Sequence, residues 1–262
     1  MPSNVPSLRW QAFHTHKRGN SPDEYEDACA GDPIKARFAV ADGASESSFT
    51  ATWAKLLVEG FVAAERRPWR RLDWLAPARR QWADDVDGRP LPWYAEEKRE
   101  QGAYATLLGI AFAKVRKKVS GTVSEKSVPD TFFAWRALAV GDSCLFRLRR
   151  GKLRKSFPLK RSSDFGNQPD LLGSRGRAAD TPSQAVRRAG GECRPGDRFL
   201  LMTDALAEWT LRRSEQDHRP AEDIDRLLAE SAPQEAFAGW VEEHREQQGL
   251  RNDDATLVII DL

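Results

Sequence analysis

Four apolar stretches of this sequence end or begin on aspartate. Asp42 closes "RFAVAD", Asp142 closes "RALAVGD", Asp204 closes "RFLLMTD", and Asp253 with Asp254 directly precedes "ATLVIIDL". One aspartate in such a place is ordinary, because the carboxylate caps helices and starts turns. Four in one chain point elsewhere. Gathered at one end of a sheet, unpaired carboxylates repel one another and either take up protons or demand a cation. No equally regular set of basic residues faces them, and no cluster of His and Cys offers a zinc site. The natural counter-charge is a hard, oxygen-binding divalent ion such as magnesium or manganese. Two such ions sharing carboxylates can hold a water, lower its pKa and aim it in line at a phosphoryl group. Phosphate-ester hydrolysis is the chemistry this pattern fits.

The elements that must carry these residues are legible as alternating or continuous apolar runs. "LRWQAFHT" (8–15) and "KARFAVAD" (35–42) read as strands that pair as a hairpin. Phe49, Trp53, Leu56, Leu57, Phe61 and Ala64 then share one helical face, with Ser47 or Ser48 as the expected cap. Residues 65–100 mix Trp69, Trp74, Trp82, Trp93 and Tyr94 with many charges and several prolines, which reads as helices and loops whose tryptophans enter the core. "YATLLGIAFAKV", "TFFAWRALAVGD", "CLFRLRRGKLRKSF" and "DRFLLMTD" are strand-like, the third turning at Arg150, Gly151 and Lys152. Residues 156–196 read as a long surface loop with one short helix. Helical patterns follow at about 221–230 and 233–247, before the terminal strand "ATLVIIDL".

Composition narrows the function classes. The 262 residues carry 41 basic and 39 acidic side chains, a net charge of +2, so no strong field points to nucleic acid or to an acidic membrane surface. The 40% hydrophobic content and nine Trp indicate a folded protein. No signal-peptide pattern and no run of about 20 apolar residues is present, which predicts a cytoplasmic protein with no membrane segment. Cys29, Cys144 and Cys193 lack CxxC spacing and read as small buried hydrophobes.

In the order "EYEDACA", "VADGAS", "AVGDS", "LLMTDAL" and "NDDATLVIIDL", the chain resembles the bacterial-type metal-dependent serine/threonine protein phosphatases of type 2C, the PPM family, across almost its whole length. The resemblance implies an α+β fold, a four-layer α/β/β/α sandwich with two central antiparallel β-sheets, spanning 1–262 as a single domain. The 65–100 segment would be a Trp-rich helical insertion and 156–196 a loop or flap. It implies two Mn2+ or Mg2+ ions, with room for a third. Carried over by motif, Glu26 is a ligand of one metal, Asp42 bridges both, and the Gly43 carbonyl contributes beside it. Asp204 and Asp253 hold the other metal, Asp142 matches a third-metal position, and Asp27 supports the bound water. The implied reaction is direct attack of water on phosphoserine or phosphothreonine, and the implied partners are a phosphorylated protein, a Ser/Thr kinase or its target.

The sequence departs from the family at three places. Residues 42–45 are Asp-Gly-Ala-Ser, with no His to protonate the leaving alkoxide. Ala205 stands where the family has Gly, and position 22 is Pro, which leaves Arg18 of "HKRGN" as the nearest phosphate-binding arginine. His14 and His16 read as exposed strand residues, Asp164 and Asp170 as loop residues, and the run Arg149, Arg150, Lys152, Arg154, Lys155 as a solvated hairpin tip. The expected activity is hydrolysis of phosphoserine or phosphothreonine in proteins, opposing a Ser/Thr kinase. The alternative is a weak or inactive relative serving as a sensing or scaffold domain with a structural metal site. A phosphoesterase with an aspartyl nucleophile is disfavoured, because "VADGAS" lacks a second Asp two residues on.

Overall fold

The structure, a computed structural model, describes residues 8–44, 49–87, 100–114, 133–176 and 184–262. Two five-stranded antiparallel sheets lie face to face. One has the order β1 (Arg9–Thr15), β12 (Ala255–Asp261), β11 (Asp197–Met202), β7 (Cys144–Arg149), β8 (Lys152–Phe157). The other has the order β10 (Arg187–Cys193), β6 (Phe133–Val140), β5 (Leu107–Lys114), β3 (Arg37–Ala41), β2 (Ala28–Asp32). A two-stranded piece pairs β4 (Tyr104–Ala105) with β9 (Leu172–Gly173). Helices α1 (Thr50–Ala63) and α2 (Leu75–Asp87) cover the second sheet, and α3 (Asp204–Glu215), α4 (Pro220–Ala229) and α5 (Pro233–Gln247) cover the first. This is the expected α/β/β/α sandwich.

The continuous apolar runs follow from this layering, because each central strand is buried on both faces. In β11, Phe199 and Leu201 point between the sheets while Leu200 and Met202 meet the helices. In β12, Val258 and Ile260 point inward and Leu257 and Ile259 meet the helices. In β3, Phe38 and Val40 fill the inter-sheet layer, and Ala39 and Ala41 leave room for α1. Trp74 and Trp82 are buried in the core against α1, as expected, and Trp69 packs half-buried against the same core, whereas Trp93 and Tyr94 lie outside the described residues. The β7–β8 hairpin turns at Arg150 and Gly151, both at positive φ (53° and 68°), the backbone a two-residue hairpin needs.

Several expectations are corrected. β1 does not pair with β3; the two lie in different sheets, β1 pairs with β12, and the hairpin partner of β3 is β2. β2 is an edge strand whose five residues are all half-buried, so it carries no alternation to read. The 156–196 stretch is no simple loop: it supplies β9 and the edge strand β10, whose Arg187, Arg188, Gly190 and Gly191 disguise it. Helix α3 begins on Asp204 itself, where the apolar pattern shows only the end of a strand. The residue capping α1 is Phe49, in a left-handed conformation (φ 61°), while Ser47 and Ser48 lie outside the described residues. Among the described residues no helix is long and apolar enough to cross a membrane.

Candidate metal centre

The strand order brings the acidic tips together. Asp42 follows β3 directly and Asp142 lies two residues past β6 in one sheet; in the other, Asp204 lies two residues past β11 and Asp253 two residues before β12. Carboxylate oxygens of Asp42, Asp142 and Asp204 lie within 4.8 Å of one another. Each sits where its backbone is fixed. Thr106 bonds both sides of the Asp42 peptide: its N–H donates to the Asp42 carbonyl at 2.8 Å and its hydroxyl accepts from the Asp42 N–H at 3.1 Å. That hydroxyl also meets Ser143 Oγ at 2.9 Å, which couples the Asp42 and Asp142 turns. Asp204 is the first residue of α3, where the helix dipole favours a carboxylate. Ala205 is therefore helical and buried, a position for which alanine is well suited.

Gly43 is constrained by space. A Cβ there would come within 2.3 Å of Thr50 Cγ2 and 2.8 Å of the Glu26 carbonyl. Only glycine lets the Asp42 turn pass this close to the Glu26–Asp27 segment. The bridge from Gly43 to Ala105 uses the Asp42 carbonyl and the Ala44 N–H, leaving the Gly43 carbonyl outside it.

Asp27 is almost fully buried, and its Oδ2 accepts hydrogen bonds from Thr256 Oγ1 at 2.7 Å and Thr203 Oγ1 at 2.9 Å. Its Oδ1 has no partner among the described residues, and neither has Oδ1 of the buried Asp142. Asp254 faces the other way, accepting the backbone N–H of Lys17 at 2.8 Å and of Glu26 at 2.6 Å, and so pins the Glu26–Asp27 segment to the start of β12. Asp253 accepts the Asp254 N–H at 3.0 Å.

The electrostatics are those of crowded carboxylates. Burial first, then Asp27, Asp204, Asp142 and Asp253, push the Asp42 carboxyl well above its usual range. Burial and the neighbouring Asp254 and Asp204 raise Asp27 against its threonine donors. Burial and Asp204 push Asp142 up to about 7, and the same two causes raise Asp253. Proteins do not keep such a cluster ionised without compensation. Donors that are all carboxylate or carbonyl oxygen, together with two buried oxygens lacking partners, fit hard divalent ions.

Of the residues singled out by sequence, Asp42, Asp142 and Asp204 converge, and Asp253 and Asp27 act on them electrostatically. Glu26 lies against Gly43 through its backbone, half-buried. Arg18 is elsewhere: its guanidinium is bonded to Glu242 and, at 2.8 Å, to Glu246 on α5. Sequence reasoning missed Arg251, whose Nη2 is paired with Asp204 Oδ2, and the hydroxyls of Thr106, Thr203 and Thr256. His14 packs against Tyr25 with the rings tilted by 39° (centroids 5.0 Å apart), and Asp164 accepts the N–H groups of Lys160 and Arg161, both outside the cluster.

No family model matches the chain, and no curated protein matches it by sequence. Solved structures do match its fold along nearly the whole length. The serine/threonine phosphatase PstP/Ppp of Mycobacterium tuberculosis superposes with a TM-score of 0.58 at 18% identity, covering 97% of this chain and 98% of that one. The PstP catalytic domain in complex with two manganese ions gives 0.56 at 19% identity, with 97% of each chain covered. The PPM Ser-Thr phosphatase MsPP of Mycobacterium smegmatis, in complex with cacodylate, gives 0.52 at 22% identity, with 99% of each covered.

Proposed function

We propose that this chain, whose fold is that of the PPM-type Ser/Thr phosphatases, is a metal-dependent phosphoprotein phosphatase of one domain. The observation that carries the reading is the convergence of Asp42, Asp142 and Asp204, beside buried Asp27 and Asp142 oxygens that lack partners among the described residues. Glu26, Asp42 and the Gly43 carbonyl would hold one Mn2+ or Mg2+, and Asp42, Asp204 and Asp253 a second. Asp142 would contribute to a third. When bound, such ions supply Lewis acidity that lowers the pKa of a water and orients it in line with phosphorus.

The chain's own residues do the positioning. Thr106 fixes the Asp42 backbone, Gly43 permits its approach to Glu26, and Thr203 and Thr256 orient Asp27 so that one oxygen remains for the site. Asp27 is a positioning residue in this scheme. The partner class is a phosphorylated protein, a Ser/Thr kinase or its target, met in the cytoplasm.

The test is phosphate release from a phosphothreonine peptide with manganese, with magnesium and with chelator, for the native chain and Asp42→Ala. Turnover that needs the ion and disappears in Asp42→Ala supports the reading. A second reading, a non-catalytic sensing or scaffold domain, is favoured by the engagement of Arg18 with Glu242 and Glu246 instead of the cluster. A folded, manganese-binding chain with no turnover would establish that reading instead.

A further inference from the structure

We infer that Arg251 is the arginine that binds the phosphoryl group, a phosphate monoester dianion or the inorganic phosphate released from it. The inference deepens the phosphatase reading and rests on it. A dianion held at the ions still lies among the carboxylates of Asp42, Asp142 and Asp204, so a cationic side chain beside them would strengthen its binding. Arg18 cannot serve without leaving its partners. Its peptide is clamped by Asn252, which accepts the Arg18 N–H at 2.7 Å and donates to its carbonyl at 3.1 Å, and its guanidinium is held by Glu242 and Glu246.

Arg251 has the complementary properties. Among the described residues it alone brings a cationic side chain into ion-pair contact with the aspartate group, through Nη2 on Asp204 Oδ2. Its Nε lies 4.0 Å from Glu208, one turn further along α3, so two acidic residues of one helix aim the planar group. The side chain is 40% exposed, and no protein acceptor among the described residues meets Nη1. One edge thus faces the carboxylates and the rest faces solvent at the mouth.

The backbone places it well. The Asp253 N–H donates to the Arg251 carbonyl at 3.0 Å, so one tight turn carries both the arginine and Asp253. That turn is anchored through Asp254 to the backbone of Lys17 and Glu26. Once Asp204 is neutralised, the guanidinium loses the charge that holds it there and can offer its planar fork to phosphate oxygens, a geometry that lysine does not reproduce. The bland alternative is that Arg251 is only an internal counter-ion to Asp204. The two differ in what they predict for phosphate.

The experiment uses the full chain saturated with manganese and follows inorganic phosphate by 31P relaxation, with manganese affinity measured separately by calorimetry. Arg251→Ala should weaken phosphate binding by about tenfold or more, with manganese bound as tightly as before or more tightly. Arg251→Lys should fall between, and Arg18→Ala should stay within about twofold of native. Phosphate affinity unchanged in Arg251→Ala, a loss that appears in Arg18→Ala instead, or no phosphate binding by the native manganese-loaded chain would each overturn the inference. Should Arg251→Ala fail to fold, Arg251→Lys decides. Phosphate binding lost in Arg251→Ala of a chain without turnover removes the catalytic reading and leaves this one; turnover with unaltered phosphate affinity does the reverse.

Discussion

Thr256 Oγ1 donates a 2.7 Å hydrogen bond to Asp27 Oδ2, joining the last strand to the acidic pair near the start of the chain. Thr203 Oγ1 shares that oxygen, which leaves the buried Oδ1 without a hydrogen-bond partner among the described residues. Thr256→Val keeps the shape and removes the donor. Supporting hydrogen bonds of this kind typically contribute tenfold or more to metal affinity, so manganese binding should weaken by about tenfold in calorimetry. A loss of thermal stability with unchanged manganese affinity would show that Asp27 serves the fold alone.

The ion-free protein should be more stable in mild acid than in base. Folding lifts Asp142 from its usual 3.8 to about 7, and lifts Asp42 and Asp27 in the same direction. A carboxyl whose pKa rises on folding favours the folded state most below its unfolded value and progressively less as pH climbs through the folded one. Between about pH 4 and pH 7 the ion-free protein therefore loses stability, on the order of 4 kcal/mol from Asp142 alone. The melting temperature in chelator should fall from pH 5 to pH 8, and saturating manganese should restore it at pH 8. A flat profile in chelator would contradict the electrostatic account of the cluster.

Asp42→Asn separates function from stability. Removing one ionisable group from the centre of the repulsion should raise the melting temperature in chelator at pH 8 while abolishing metal-dependent turnover. A variant less stable than the native chain under those conditions would mean that Asp42 is held by attractive contacts.

Asp197 marks the opposite end of β11. Its side chain has no exposure and is bonded to Arg147 at 2.8 Å, to Arg149 at 2.5 Å and to the Arg194 N–H at 3.2 Å. These partners hold its carboxyl below the usual range against the cost of burial. Its contribution is present at neutral pH and lost as pH falls through that lowered value. Asp197→Asn should cost about 2 to 3 kcal/mol in urea unfolding at pH 7, with manganese affinity unchanged. A change in manganese affinity would show coupling along the strand.

Gly43→Ala should be costly although it adds a single methyl. The new Cβ overlaps Thr50 Cγ2 and the Glu26 carbonyl, so either the start of α1 or the Glu26–Asp27 segment must move. The expected outcome is about 1 to 3 kcal/mol of lost stability and weaker manganese binding. Full retention of both would mean that the turn is not packed as described.

The central strands and three of the clustered aspartates are legible because a strand buried on both faces writes an unbroken apolar run, and an aspartate ending such a run stands out, whereas the sandwich itself follows only from the resemblance that the five ordered motifs carry. What escaped notice has physical reasons. β2 and β10 are edge strands with half-buried or polar faces, so their pattern resembles that of a loop. The threonines that orient Asp27 lie 176 and 229 residues from it, and nothing in their local sequence marks them. Arg18 lies near the acidic pair in sequence only; Arg251 reaches the cluster because β12 runs beside β11. The β1–β3 hairpin failed for the same reason, since chain proximity was a poor guide to which strands adjoin.

The pairing of β1 with β12 also carries a meaning for synthesis. Arg9 lies opposite Asp261, so the first strand emerges from the ribosome with its partner not yet made. Glu26, Asp27 and Asp42 wait with it, because Asp253, Asp254 and Thr256 all come from the far end of the chain. Long-range closure of this kind is slow and exposes edges while it is pending. A nascent chain cut short before β12 would hold most of the apolar core described above yet lack Asp253, Asp254 and Thr256, so the acidic centre cannot assemble until β12 is in place.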